Sequence, residues 1–101
     1  QTCALPISAF ETLAALPAKR RFAFVGVMAE LKPPELAHRA IAALARRHNI
    51  DLICVDTNLY GEESISLQAA ILRVGEFGEG DAVLVKGSRI AGLERLVQAF
   101  A

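Results

Sequence analysis

The chain has 101 residues, 53% of them hydrophobic and 22% charged, which is material for one domain with one core and excludes a disordered segment. Eleven basic residues balance eleven acidic ones, so no chain-wide field draws the protein to nucleic acid or to an anionic membrane, and charge chemistry must be local. No apolar run reaches the roughly 18 residues that a membrane span requires. The start lacks the basic-then-apolar order of a secretion signal, and the expected location is cytoplasmic. Two cysteines, Cys3 and Cys54, allow one bridge at most. Cys54 stands in an apolar strand-like run with no metal-ligand neighbour, which reads as a buried inert thiol.

Gln1-Thr2-Cys3-Ala4-Leu5-Pro6-Ile7 fits no element type, and its back-translation CAG ACG TGT GCT CTT CCG ATC resembles a widely used sequencing adapter. Residues 1–7 are therefore expected to be an artefactual tail, and the native sequence that belongs before Ser8 is expected to be missing. From Ser8 the pattern is helical, with Phe10, Leu13 and Ala14 on one face and Ser8 with Glu11 as a capping box. Pro17 stops it. After Lys19-Arg20-Arg21, the run Phe22-Ala23-Phe24-Val25 ends in Gly26 and has the continuous apolar character of a strand covered on both faces.

Pro33-Pro34 marks a helix start, and Leu36, Ala40, Ile41 and Leu44 follow at helical spacing. Arg46, Arg47 and His48 complement its C-terminus, and Asn49 suits a left-handed cap. Ile50–Val55 reads as a second buried strand, followed by the turn Asp56-Thr57-Asn58. A shorter helix between Ser66 and Leu72 turns Leu67, Ala70 and Ile71 inward. Gly75–Asp81 is a glycine-rich acidic loop leading into the strand Ala82–Val85, which ends at Lys86-Gly87-Ser88-Arg89. A last helix carries Leu93, Leu96, Val97 and Phe100 on one stripe.

Apolar strands that alternate with helices imply a mostly parallel sheet with right-handed crossovers, a three-layer α/β sandwich of Rossmann-like form. Ligands of such sheets bind outside the carboxyl ends of the strands. Three segments are expected there: Gly26-Val27-Met28-Ala29-Glu30, Asp56-Thr57-Asn58 and Lys86-Gly87-Ser88-Arg89. Lys86 is expected where this strand gives way to a helix, so its ammonium and the Gly87 and Ser88 amides can meet a phosphate or carboxylate together with the helix dipole, with Arg89 as a fork. A solvated lysine beside an ordinary serine cap competes with that reading. Glu30 can position an amine or a water, or simply be solvated. His38, in the first turn of a helix, reads as a neutral hydrogen-bonding side chain. No metal cluster, nucleophile–base pair or Walker-type loop is present, and the chain alone is not expected to turn over ATP.

Ser8-Ala9-Phe10-Glu11-Thr12-Leu13-Ala14-Ala15-Leu16, then Phe24-Val25-Gly26-Val27-Met28-Ala29-Glu30-Leu31, then His38, and then Gly80-Asp81-Ala82-Val83-Leu84-Val85-Lys86-Gly87-Ser88-Arg89 resemble the C-terminal domain of Mur ligases. The nearest type is the one that adds D-alanyl-D-alanine to UDP-N-acetylmuramoyl-tripeptide in peptidoglycan precursor synthesis. The resemblance runs in order over nearly all of 8–101, and G-D-x-V-L-V-K-G-S-R is its most specific part.

The resemblance implies a parent enzyme that uses ATP and Mg²⁺ to form an acyl phosphate attacked by the amine of D-Ala-D-Ala. The P-loop and Mg²⁺ ligands would belong to a central domain, and this domain would close over the cleft and help hold the dipeptide, as a monomer. The site residues it implies are Met28, Glu30, His38, Lys86, Gly87, Ser88 and Arg89, with Lys86, Ser88 and Arg89 facing anionic groups. Two departures follow: Val27 stands where the family usually has Asp, and the D-x-Y-N-A-N-P segment expected before Ser8 is absent, so the sheet would lack its first strand. Two other readings remain, a receiver-like regulatory module, which lacks its acid cluster at Gly26-Val27-Met28, and a binding or oligomerisation fragment without chemistry.

Overall fold

The computed structural model describes residues 6–101. In chain order the elements are α1 (Pro6–Ala15), β1 (Arg20–Val25), α2 (Pro34–Arg47), β2 (Ile50–Val55), β3 (Ser64–Ile65), α3 (Leu67–Leu72), β4 (Asp81–Lys86) and α4 (Glu94–Ala99). Single 3₁₀ turns at Arg73–Glu76 and Arg89–Ala91 flank β4. The four strands pair in parallel in the order β3-β2-β1-β4, and helices cover both faces, giving the three-layer α/β sandwich expected from the alternation of apolar strands and helices.

The pleat of β1 divides the core. Ala23 and Val25 point to one face, where Phe10 and Leu13 of α1 and Ile41, Ala42 and Ala45 of α2 cover them. Phe22 and Phe24 point to the other and pack with Ala70 of α3 and Leu96 of α4. Here Phe77 meets Phe22 edge-on at 4.7 Å and Phe100 meets Phe24 at 5.9 Å. Each large apolar side chain buried this way contributes about 1.5 to 3 kcal/mol.

Local chemistry sets the boundaries. Pro33 precedes α2 with extended backbone at φ −68° and ψ 146°, and Pro34 occupies its first turn, where a missing N–H costs nothing. Asn49 takes φ 57° directly after α2 and turns the chain into β2, as the left-handed cap requires. Ser66 accepts a hydrogen bond from the Ala69 N–H at 3.0 Å and caps α3. The basic cluster before β1 is used twice. Arg20 grips Asp81 with two bonds of 2.8 Å, joining the starts of β1 and β4, while Arg21 donates to the Leu13 and Leu16 carbonyls at 3.1 and 2.5 Å and satisfies the end of α1.

Several expectations are corrected. Helix α1 starts at Pro6, so Pro6 and Ile7 belong to it and Ser8 lies inside the first turn, not at its cap; a proline is as well suited to a first turn as a serine is to a cap. Whatever Gln1–Leu5 contribute lies outside the described residues, Cys3 included. In α2 the covered stripe runs through His38, Ile41, Ala42 and Ala45, leaving Leu36 70% exposed. Val97 of α4 is 52% exposed. Strand β4 is half-buried along its whole length because it is a sheet edge with β1 on one side only. The two-residue β3, at the opposite edge, was too short to leave a hydrophobic pattern.

Candidate functional site

Parallel pairing brings the ends of β1 and β4 to one rim. Val25 is in register with Cys54 of β2 and Lys86 of β4, so the chain leaves all three strands on the same side. Beyond the last rung the loops of β1 and β4 stay joined. The Gly26 N–H donates to the Lys86 carbonyl at 3.0 Å, and the Ser88 N–H to the Val27 carbonyl at 2.8 Å. The Ser88 hydroxyl completes the joint, accepting from the Ala29 N–H at 2.5 Å and donating to Glu30 Oε1 at 2.9 Å. Glu30 and Ser88 are 58 residues apart in sequence.

The Glu30 carboxyl is held below its ordinary value, first by its own backbone N–H, then by the Ser88 hydroxyl, with smaller help from the positive charge of Lys86. Glu30 is therefore ionised at neutral pH. Lys86 is half-buried at the last position of β4, and Arg89 is exposed in the turn that follows.

Met28 and His38 stand behind this rim and not on it. Both are buried in the core. The Met28 N–H donates to His38 Nε2 at 3.0 Å, which leaves Nδ1 to carry the ring hydrogen and donate to the Pro34 carbonyl at 2.6 Å. His38 also meets the ring of Tyr60 edge-on at 4.9 Å, and the Tyr60 hydroxyl donates to the Gly26 carbonyl at 2.7 Å. Burial pushes the Tyr60 hydroxyl well above its ordinary value, keeping it a donor. Two buried side chains thus fix the backbone of residues 26–28, and what Met28 and His38 give the rim is position.

The loop after β4 differs from expectation. No α-helix begins at Lys86–Ser88. A three-residue 3₁₀ turn follows, then Gly92 at φ 65°, and α4 starts only at Glu94. With the Ser88 amide already bonded to Val27, no helix-dipole anion cradle forms there. Gly87 also serves packing instead of ligand approach. A Cβ on it would lie 2.9 Å from Leu93 Cδ1 and 3.2 Å from Ala91 Cβ, and one on Gly26 would lie 2.7 Å from Ala91 Cβ. The two glycines let the 89–93 segment fold tightly across the ends of β1 and β4.

The third segment is turned aside. Asp56, at φ 55°, accepts from the Leu67 N–H at 3.2 Å, and its own N–H donates to the Ile65 carbonyl at 2.8 Å. Asp56 therefore serves the start of α3. The structure joins two of the three expected segments directly, and the region after β2 touches them through Tyr60. No sequence pattern singled out Tyr60, because a lone tyrosine beside a glycine has no spacing signature.

Grooves lie on the flanks. One of about 630 Å³ runs between α1 and α2 past Pro6, Leu31, Ala40, Ile41 and Leu44, and one of about 530 Å³ lies beside β4 against Phe77, Val83, Val85, Val97 and Phe100. Neither is lined by Glu30, Lys86 or Ser88. Among the described residues no three His, Cys, Asp or Glu side chains gather to hold a metal ion. At the rim Glu30 accepts from Ser88 through Oε1 alone, and Asp56 accepts from the Leu67 N–H through Oδ2 alone. Among the described residues no helix is long and apolar enough to cross a membrane. Comparison with protein-family models, with curated proteins and with solved structures finds no match.

Proposed function

We propose that this chain is the C-terminal domain of a Mur-type ligase and that its rim at the ends of β1 and β4 helps hold D-Ala-D-Ala for addition to UDP-N-acetylmuramoyl-tripeptide. The parent enzyme would be an ATP-dependent, cytoplasmic peptide ligase in peptidoglycan precursor synthesis. ATP and Mg²⁺ would be bound by a central domain that this chain does not contain. One observation carries the reading: two sequence blocks that resemble the family, Gly26–Glu30 and the more specific one ending in Lys86–Arg89, are tied together at the carboxyl ends of parallel strands, where such sheets take ligands.

In this reading the chain's own residues bind and orient. Lys86 and Arg89 supply positive charge for the dipeptide carboxylate or for the phosphorylated acyl group. Glu30 and Ser88 fix the loop against which the dipeptide lies, and the buried pair His38 and Tyr60 hold that loop still. A dipeptide pinned in this way loses its freedom before reaction, which is what a positioning domain contributes to rate.

The test is a titration of the ¹⁵N-labelled chain with D-Ala-D-Ala. The reading predicts saturable shifts at the amides of residues 28–30 and 86–89, and binding weakened roughly tenfold by Lys86→Ala, the scale of one charge-assisted contact. Absence of saturable shifts at both segments would contradict it.

A further inference from the structure

Within the reading above, on which this step rests, we propose that Glu30 is the receptor for the protonated amine of a zwitterionic ligand and that Ser88 is a positioning residue for Glu30, not a contact for an anion. A serine hydroxyl has one hydrogen to give, and Ser88 gives it to Glu30 Oε1 at 2.9 Å while accepting from the Ala29 N–H at 2.5 Å. Its backbone N–H is committed as well, to the Val27 carbonyl at 2.8 Å. An anion reaching for Ser88 would therefore find no donor and would stand beside a carboxylate.

What the joint presents outward is negative charge. Glu30 is exposed, and Ser88, its own backbone N–H and the charge of Lys86 all favour its ionised form. An ammonium group is the natural complement, donating to a carboxylate that is already oriented and needs no reorganisation. Lys86 supplies the opposite sign at the same rim. A ligand with an amine at one end and a carboxylate at the other fits both, and a free dipeptide or small amino acid is such a ligand. Glu30 would then select for the unblocked amine, the group that must be free to act as a nucleophile.

The experiment titrates the chain and its Glu30→Gln and Ser88→Ala variants with D-Ala-D-Ala and with N-acetyl-D-Ala-D-Ala, in which the amine is blocked. Amide spectra confirm that each variant is folded. The unaltered chain should bind the acetylated dipeptide roughly tenfold more weakly than the free one. In Glu30→Gln the two should bind alike. Ser88→Ala should lower the ratio of free to acetylated affinity, because Glu30 loses the donor that orients it, whatever weakening of both ligands the loss of the Ala29 contact brings.

Equal binding of both ligands by the unaltered chain overturns the proposal. So does a Ser88→Ala variant that weakens both equally, as a direct carboxylate contact would. If the free dipeptide does not bind at all, the D-Ala-D-Ala reading fails, and glycinamide decides the amine site separately. A saturable shift of the Ala29 and Glu30 amides that disappears in Glu30→Gln sustains the site; no shift overturns it.

Discussion

Replacing His38 by leucine tests how the rim is held. His38 is 0% exposed and accepts from the Met28 N–H at 3.0 Å, so a leucine of similar bulk leaves that buried amide without an acceptor. An unsatisfied buried donor costs about 1 to 3 kcal/mol. The Pro34 carbonyl loses its partner at 2.6 Å but is only partly buried and adds less, and the edge-on contact with Tyr60 at 4.9 Å is lost as well. Together these give a loss of about 2 to 4 kcal/mol, a large share of the stability of a domain this size. Urea unfolding followed by circular dichroism should show the midpoint falling with little change in slope. Amide exchange at Met28–Glu30 should accelerate beyond that of β1, because the substitution releases the loop before the strand. A variant within about 0.5 kcal/mol of the parent, with unchanged exchange at these amides, would refute the view that His38 holds the rim from behind.

Three further outcomes follow from the same contacts. Gly87→Ala forces a methyl against Leu93 and Ala91, at 2.9 and 3.2 Å, and should cost about 1 to 3 kcal/mol in chemical denaturation; a neutral result would mean that the 89–93 segment yields freely. Asp81 is held below the ordinary carboxylate range by the Arg20 hydrogen bond and then by the Gly78 N–H. Its contribution is complete above the unfolded-state value and is lost as pH falls through the lower folded one, so Asp81→Asn should flatten the acid limb of the stability curve, and an unchanged limb would contradict the pairing. Burial raises the Cys54 thiol to about 11, so in Cys3→Ser chain its modification by a disulfide reagent at neutral pH should proceed only as fast as the chain opens, and rapid reaction of the native protein would count against the packing.

Three of the four strands were legible because they are runs of apolar residues, and Ile50–Val55 has the predicted limits, while the two-residue β3 was not. Helix α2 was placed correctly by its two prolines and by Asn49, residues whose backbone preferences act locally. Its covered face was not, since periodicity ranked Leu36 as inward while the core took the polar His38. The start of α1 was misplaced because residues 1–7 were set aside as an artefactual tail, whereas Pro6 and Ile7 lie in the helix. At the site, Glu30, Lys86 and Ser88 were visible as residues at strand ends. Their relation was not, because the Ser88–Glu30 bond joins the loops after two neighbouring strands 58 residues apart in sequence and no local spacing encodes it. The expected dipole at Lys86–Ser88 failed on Gly92, whose positive φ separates a short turn from α4.

If these residues belong to a dipeptide-adding ligase, the coding sequence of the source genome at and upstream of helix α1 decides it. The ligase reading predicts an open frame there that encodes D-x-Y-N-A-N-P just before the helix and, further upstream, a Walker-type P-loop to bind ATP. A start codon directly before Ser8, or an upstream frame without a P-loop, would contradict it.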